Sequence, residues 1–561
     1  MKSLHQLQWQ TESKMPPWVF WVNALVATIV VGPALMYASI ALPGQSGMAD
    51  LPGTVNYHWL IQSQGIASAT ESSLLMHPAL LNRFVLDGAP LDALASWPFT
   101  ALFGWPGGFT VFVWASLLAL GMATAWLAHG WWGTPMAAAV AGVVAQTHPF
   151  LIRELSFGRP TQVFGAVFLP LAMGFAFKSL NSGRRIDGYA AGIAWGLGTL
   201  SYWFYGVYFG IGLAVLLLAA RPDLGALRTA CGRIIAGLAL ITAGPLYAVL
   251  NSTGSIPGQG LSLNDTVTHG DNELTLRALI EFRDLGESIL SERALAAQVL
   301  VVFLVVWAVR SAPRSLWLTP LLWVASACWF AAGPAINLPG GIDLAGPFMV
   351  FDLSDLTRRN WWPDRALVLA VPATALLAAG GASVLIAAHR PLRARAATFV
   401  ACAALVAEAF LVIPGLPMGT TWGAESPKTR QLATESSPTL ILPLSTEGGQ
   451  PDARMMIDQI HHGRALVNGP MPYTSSTAPA AYREAIEAVA LAGLVACERE
   501  EQPAANPSLV WDGLAEWSVT TVYLDLDLAG KLAQGPERYR ACVERVLGPA
   551  DGGSPMLEYR R

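Results

Sequence analysis

Charge is scarce in this sequence. Only 13% of its 561 residues are Asp, Glu, Lys or Arg, where a soluble domain has about a quarter, and a soluble globular chain is excluded on that ground. The ten-residue alternations of a membrane barrel are lacking too. The apolar runs are helical in length, so the spanning structure is α-helical. No GxGxxG follows a strand and no Walker sequence occurs, which removes the common nucleotide-binding signatures. Nor is there a basic stripe of the kind nucleic acid requires. No Ser-His-Asp or Cys-His grouping stands out. Cysteine is limited to five residues. Cys231, Cys328 and Cys402 sit in or beside apolar runs and read as small buried hydrophobes, whereas for Cys497 and Cys542 a disulfide and two separate thiols are equally open.

What the chain does have is long apolar runs. Spans are expected near 18–42, 105–128, 133–152, 161–177, 188–203, 205–220, 234–250, 294–309, 316–332, 366–388 and 396–413, about eleven in all, with boundaries that drift by a few residues. Lys2, Lys14, Lys178, Arg184, Arg185, Arg221, Arg228, Arg233, Arg310, Arg314, Arg390, Arg393 and Arg395 fall on one side of these spans, which makes that side cytoplasmic. The loops 43–104, 251–293 and 333–365 face the other way, and an odd number of spans puts the C-terminal part there as well. The first span is too long, and too poor in a small-residue cleavage site, to be a removed signal peptide. Within loop 251–293, "LTLRALIEFRDLGESIL" reads as amphipathic helix on the membrane surface.

"LVIPGLPMGTTWG" marks the exit from the last span and divides a transmembrane domain, 1–413, from an outer domain, 414–561. The outer domain is acidic, with 12 Lys plus Arg against 18 Asp plus Glu. Its pattern alternates. "TLILPLS", "WSVTTVYLDLD" and "MLEYR" read as strands, while "APAAYREAIEAVALAGLVA" and "YRACVERVLG" have helical spacing. The fold class is therefore an α-helical polytopic membrane protein of about eleven transmembrane helices with a C-terminal extracytoplasmic α/β domain.

The spans are almost free of ionisable side chains, Glu408 being the main exception. Transporters and pumps usually place such groups near the midplane, so a lipid or polysaccharide transporter is disfavoured. Acids and arginines instead gather in loops at the helix mouths, which favours chemistry at the outer face on a substrate with its head group there and its tail in lipid. Asp50, in "GMADLPGTVNYHWLI", directly follows the first span, and Asp87 and Asp92 lie in the same loop. A carboxylate at a helix mouth can act as a general base, can hold a divalent metal, or can simply be solvated. "LIRELSFGRPTQ" sets Arg153, Glu154, Arg159 and Gln162 between two spans, in a tight turn that points arginines at head groups or pairs Arg153 with Glu154 as an anchor. "DLTRRNWWPDRALVL" supplies Arg358, Arg359, Asp364 and Arg365 beside two tryptophans, as phosphate contacts or interfacial anchors. In "MMIDQIHHGRALVNGPMPYT", His461 and His462 are neighbours, poor spacing for a metal, and read as structural or substrate-facing groups; no metal ligand is assigned.

In their order along the chain, "ADLPGTVNYHW", "LSFGRPTQVFGAVFLPLAM", "NWWPDRALVLA" and "ILPLS" followed by "QIHHGRALVNGPMPYT" resemble the GT-C class of polytopic glycosyltransferases, and within it a bacterial group of GT-C-like membrane proteins. The resemblance implies transfer of a sugar from a polyprenyl-phosphate donor to an extracytoplasmic glycan, lipid or protein acceptor. It gives Asp50 the place of the first-loop acid, the base. His58 and its aromatic neighbours would shape the pocket over it. Substrate contacts would come from His58, Arg153, Glu154, Arg159, Gln162, Arg358, Arg359, Arg365, His461 and His462. Many members carry two acids where "GMADLPG" has one, so a divalent cation (Mg or Mn) stays open as a cofactor. The implied location is the bacterial inner membrane, with the N-terminus cytoplasmic and the C-terminal domain periplasmic. A non-catalytic membrane scaffold or assembly protein of the same fold is the alternative.

Overall fold

Proline and glycine cut the apolar runs into helices. In the computed structural model the described residues are 9, 14–44, 50–70, 72–78, 90–220, 224–252, 298–333, 335–338, 342–349, 363–387, 391–413, 415–444 apart from 417 and 435, 454–468, and 482–561 apart from 483, 485–487, 502, 504, 505 and 553–555. Arg358, Arg359, Asp87 and the expected surface helix of 274–290 lie outside the described residues.

The helices in chain order are α1 (Pro17–Met36), α2 (Asp50–Gln64), α3 (Pro90–Phe103), α4 (Gly107–Trp132), α5 (Pro135–Gln146), α6 (Pro149–Ser156), α7 (Pro160–Ala166), α8 (Phe168–Ser182), α9 (Arg185–Ser201), α10 (Trp203–Ala220) and α11 (Leu224–Ser252). They continue as α12 (Val299–Ser311), α13 (Arg314–Ala331), α14 (Ala370–Ala387), α15 (Pro391–Val412), α16 (Pro427–Ala433), α17 (Arg454–His462), α18 (Val489–Glu498), α19 (Pro507–Glu516), α20 (Leu526–Ala529) and α21 (Pro536–Leu547). By contact the chain forms two units. One is residues 1–45, 98–248 and 260–421; the other is 46–97, 249–259 and 422–561.

In the first unit, eight described helical stretches are long and apolar enough to cross a membrane, and the chain is a multi-pass membrane protein. Three expected spans do not meet that measure among the described residues. α9 has 17 residues and α12 has 13, which rise about 26 and 20 Å at 1.5 Å per residue, short of a hydrocarbon core of about 30 Å. α13 is long enough, but Arg314, Pro320 and its tryptophans dilute its hydropathy.

Lipid offers helices no hydrophobic force toward one another, so close approach and hydrogen bonding must join them. At Gly381 of α14 a Cβ would stand 2.0 Å from the Leu304 carbonyl oxygen of α12, so only glycine permits that contact. The indole N–H groups of Trp131, Trp132 and Trp323 donate to the carbonyls of Leu316, Leu376 and Gly212, each at 2.9 Å. Glu408 has a similar structural task. The N-cap residue of α12, Gln298, makes no side-chain cap; instead Glu408 Oε1, from α15, accepts from the Leu300 amide at 2.9 Å. A carboxylate at a helix N-terminus also complements the dipole there. We expect Glu408→Ala to cost about 1–2 kcal/mol and Glu408→Gln to recover most of it, read from thermal unfolding in detergent.

The second unit is built on a three-stranded sheet, β1 (Leu440–Leu442), β2 (Thr521–Leu524) and β3 (Leu557–Arg560), with β2 in the middle, parallel to β1 and antiparallel to β3. All three lie within segments whose pattern reads as strand. Leu440, Leu442, Val522, Leu524 and Tyr559 pack with Trp511 and Tyr539 in its core. Of the two states open for the cysteines, the structure has the disulfide: Cys497 of α18 is bonded to Cys542 of α21, with Cα atoms 5.7 Å apart.

Residues 50–64, far earlier in sequence, belong to this unit because a buried amide pair ties them to α17. Asn56 donates to the Met456 carbonyl at 3.0 Å and to Gln459 Oε1 at 2.8 Å, and Gln459 donates to the Leu74 carbonyl at 2.6 Å. The sequence reading keeps 43–104 with the transmembrane part as a loop; the contacts group 46–97 with the chain from Trp422 onward.

Candidate functional site

Two prolines and a glycine shape the centre of the first unit. Pro149 opens α6 and Pro160 opens α7, each in the first turn, where the missing N–H costs nothing. Between them Gly158 takes φ +78°, a left-handed conformation that favours glycine. The Arg159 amide bonds back to the Glu154 carbonyl at 2.9 Å. This compact turn brings Arg153, Glu154 and Arg159 together, and a 3-10 segment, Pro363–Leu369, leads Asp364 and Arg365 into α14.

The result is a buried ion network. Glu154 accepts from Arg153 through Oε1 at 3.0 Å and from Arg159 through Oε2 at 3.3 Å. Arg153 also donates to Asp364 Oδ2. Phe150 and Phe157 lie under the guanidinium groups of Arg153 and Arg159, at 5.5 and 5.7 Å. Arg365 is half-buried, its Cζ 4.9 Å from the Tyr202 ring centroid. Gln162 accepts from the Tyr205 hydroxyl at 3.0 Å. Arg153 and Arg159 thus share Glu154 and Asp364, and Arg365, next in sequence to Asp364, adds a third guanidinium; among the described residues the five formal charges of this cluster sum to one positive. Asp364 Oδ1 is buried with no hydrogen-bond partner among the described residues.

Of the two arrangements open for this turn, the structure has the Arg153–Glu154 pair, and Arg159 also turns inward onto Glu154. The reason is that Glu154 and Asp364 give them partners which low-dielectric surroundings make costly to leave. Arg365 is the cation of the set with the most exposed position.

In the second unit Asp50 is the exposed first residue of α2. Pro52 and Gly53, a pair that by itself reads as a turn, are in the first turn of that helix, where proline is tolerated. His58, expected beside a substrate, is fully buried. Its Nδ1 is 2.9 Å from Ser96 Oγ and its Nε2 is 3.3 Å from Asp92 Oδ2. Burial holds the Asp92 carboxyl above its ordinary range, with His58 partly offsetting the effect. This pair escapes sequence reading, because nothing in "FVLDGAPLDAL" distinguishes Asp92 from a solvated loop acid.

His461 Nε2 lies 3.0 Å from the Gly423 carbonyl oxygen. His462 is buried and accepts the Arg464 amide on Nδ1 at 3.0 Å. Burial, helped by Arg464 and His461, pushes its pKa down to about 4. In the unfolded chain a histidine titrates near about 6.5, so His462 adds stability that is present above that pH and is lost as pH falls toward about 4. His462→Gln is expected to flatten the acid side of the curve of melting temperature against pH; an unchanged slope would place the sensitivity elsewhere.

Among the described residues no group of three or more His, Cys, Asp or Glu could hold a metal ion. The divalent cation left open by the sequence thus finds no ligand set among them.

No protein-family model and no curated protein matches the chain. Solved structures do. The chain is similar to the arabinofuranosyltransferase AftD from Mycobacteria, at 15% identity and a TM-score of 0.58 over 98% of this chain. It is similar also to ArnT from Cupriavidus metallidurans in the apo state, at 13% identity and a TM-score of 0.52, covering 92% of this chain and 94% of that one. The chain has a GT-C-like fold. It spans 42% of the length of AftD. At such identities the likeness extends to the GT-C-like architecture and no further.

Proposed function

We propose that this GT-C-like protein is a membrane glycosyltransferase that moves a sugar from a polyprenyl-phosphate donor to an extracytoplasmic glycan, lipid or protein acceptor. The observation that carries this reading is the net positive centre of Arg153, Arg159 and Arg365 with Glu154 and Asp364, in a unit whose spans are otherwise nearly free of charge. A lipid-linked sugar phosphate is an anion that must be held at the edge of an apolar phase. Guanidinium groups suit it, being permanently charged, weakly hydrated and bidentate toward phosphate. Arg365, half-buried against Tyr202, is the member assigned to the phosphate; Arg153, Glu154, Arg159 and Gln162 fix the frame around it.

The chemistry follows from those roles. The acceptor hydroxyl gives its proton to Asp50, and its oxygen forms a bond to the anomeric carbon. The bond from that carbon to the phosphate oxygen breaks, and its electron pair leaves with the polyprenyl phosphate, whose charge the arginines stabilise. In this reading the loops bearing Asp50 and Arg365 face outward from a bacterial inner membrane, with the N-terminus cytoplasmic, residues 414–561 forming an extracytoplasmic domain, and Arg358 and Arg359 adding contacts to the donor.

One observation favours a second reading. Arg153 and Arg159 are already neutralised by Glu154 and Asp364, as in a centre that only holds helices together, and this fits a non-catalytic scaffold of the same fold. Membranes containing the protein, supplied with radiolabelled polyprenyl-phosphate sugars, separate the two. Transfer from at least one donor is expected. No product from any donor, with retained capture of a membrane partner, would favour the scaffold.

A further inference from the structure

Trp9 is the sole Phe, Tyr or Trp before Trp18, set in the polar stretch "HQLQWQTESK" and separated from α1 by residues 10–16. Its indole is nevertheless partly buried, against the last turns of α4 and α8. A Cβ at Gly130 of α4 would stand 2.0, 2.2 and 2.3 Å from atoms of the Trp9 ring, so a glycine at that position is what admits the indole. Trp126, one turn earlier on α4, has its ring centroid 5.2 Å from that of Trp9, and Phe177 of α8 has its own at 5.8 Å. Both separations lie in the range in which ring pairs attract, about 4.5–7 Å. The Lys178 ammonium is 5.5 Å from the indole centroid, within the cation–π range of about 6 Å. Asn181 Oδ1 accepts from the Trp9 amide at 3.4 Å.

The two rings that receive Trp9 are held from behind. Trp126 is seated over Gly174 of α8, where a Cβ would be 2.2 Å from its ring. Phe177 is buried, with the Trp131 ring centroid 4.7 Å from its own. A glycine that leaves room, two fixed aromatic walls and a cation over the face together suit a flat, electron-rich bicyclic ring.

We propose that the ends of α4 and α8 form a docking niche for an indole, and that its ligand is the chain's own Trp9, which latches the N-terminal segment to the first unit. A single indole is a fragment-sized ligand, with an affinity of about 1–10 mM. A ring tethered through residues 10–16 meets the niche at an effective concentration of millimolar order. The two are comparable, so the latch is reversible and an outside indole can compete for it. The niche requires neither a sugar donor nor transfer, so it stands or falls apart from the glycosyltransferase reading.

The test is ligand-observed saturation-transfer NMR with indole as the probe, on the full-length protein in one detergent. Trp9→Ala opens the niche, and sites left by truncating a buried ring take up small aromatics. Saturable binding by that variant at about 1–10 mM is expected. The wild type, whose own ring competes, should bind about two- to tenfold more weakly. Trp9→Ala combined with Gly130→Leu, which fills the niche, should show no saturable binding, and this separates the site from uptake into micelles. Trp9→Leu replaces Trp9→Ala should the latter not be recovered folded. Melting temperatures add a reversal of sign. Alanine in place of a helical glycine ordinarily stabilises. Here Gly130→Ala should lower the melting temperature of the wild type by about 2–4 °C and leave unchanged or raise that of Trp9→Ala, where no indole meets the new methyl group. Four results would overturn the proposal: no saturable indole binding by Trp9→Ala, equal binding by the filled variant, wild-type binding as tight as that of Trp9→Ala, or the same effect of Gly130→Ala in both backgrounds.

Discussion

Asp50→Asn is expected to reduce sugar transfer by about 10²–10⁴-fold while leaving the protein folded, because a general base contributes about that much. Asp50 stands exposed at the start of α2. Its removal should therefore disturb little packing, and surface substitutions of that kind usually stay within about 0.5 kcal/mol. The asparagine keeps the size and the hydrogen-bonding oxygen but cannot take the acceptor proton. Donor binding should be unaffected, since the donor contributes no proton to be removed. The decisive comparison is single-turnover transfer and donor binding, measured together on wild type and Asp50→Asn. Intact transfer in the variant would remove Asp50 from the chemistry. A joint loss of transfer and melting temperature would make it structural.

Glu154→Ala is expected to act on the fold, with a cost of about 3–5 kcal/mol, the range for breaking a buried ion pair from one side. Glu154 is fully buried and shared by Arg153 and Arg159. Deleting it leaves both guanidinium groups without the carboxylate that offsets their desolvation, and only Arg153 retains Asp364. Glu154→Gln keeps the shape and should lose less, since the amide oxygen still accepts from one arginine. Arg153→Met and Asp364→Asn should each destabilise, and together by less than the sum, because each removes a charge that the other leaves exposed. Thermal unfolding in one detergent reads the four single variants and the double. A stability for Glu154→Ala within about 0.5 kcal/mol of wild type would mean that the network does not hold α6 in place. If Arg365→Gln abolished donor binding at unchanged stability, the donor site would be separated from this frame.

Much of the architecture is written locally. Long apolar runs with proline and glycine at their ends require membrane helices, since backbone groups in lipid must bond within their own segment. Pro149, Gly158 and Pro160 force a tight turn, and that turn alone brings Arg153 near Glu154 and Arg159. Alternating and helical patterns near the C-terminus sufficed for the three strands and for α21. Length was less legible: α9 and α12 read as spans on hydropathy, yet their helices have only 17 and 13 residues.

What only the tertiary structure decided are the partnerships. Asp364 meets Arg153 across 211 positions, His58 is buried against Asp92, Glu408 caps a helix other than its own, and Cys497 bonds Cys542 rather than standing apart. Each depends on which helix faces are packed together, a property of the whole chain that no window of sequence contains. The same holds for Asn56, whose amide is paired with Gln459 and so draws α2 into the unit that contains the sheet. Periodicity fixes which face of a segment is apolar because it is set by 3.6 or 2 residues per repeat. The identity of the group that satisfies a buried charge is set by long-range packing, since a desolvated carboxylate or guanidinium is stable only once its partner has arrived.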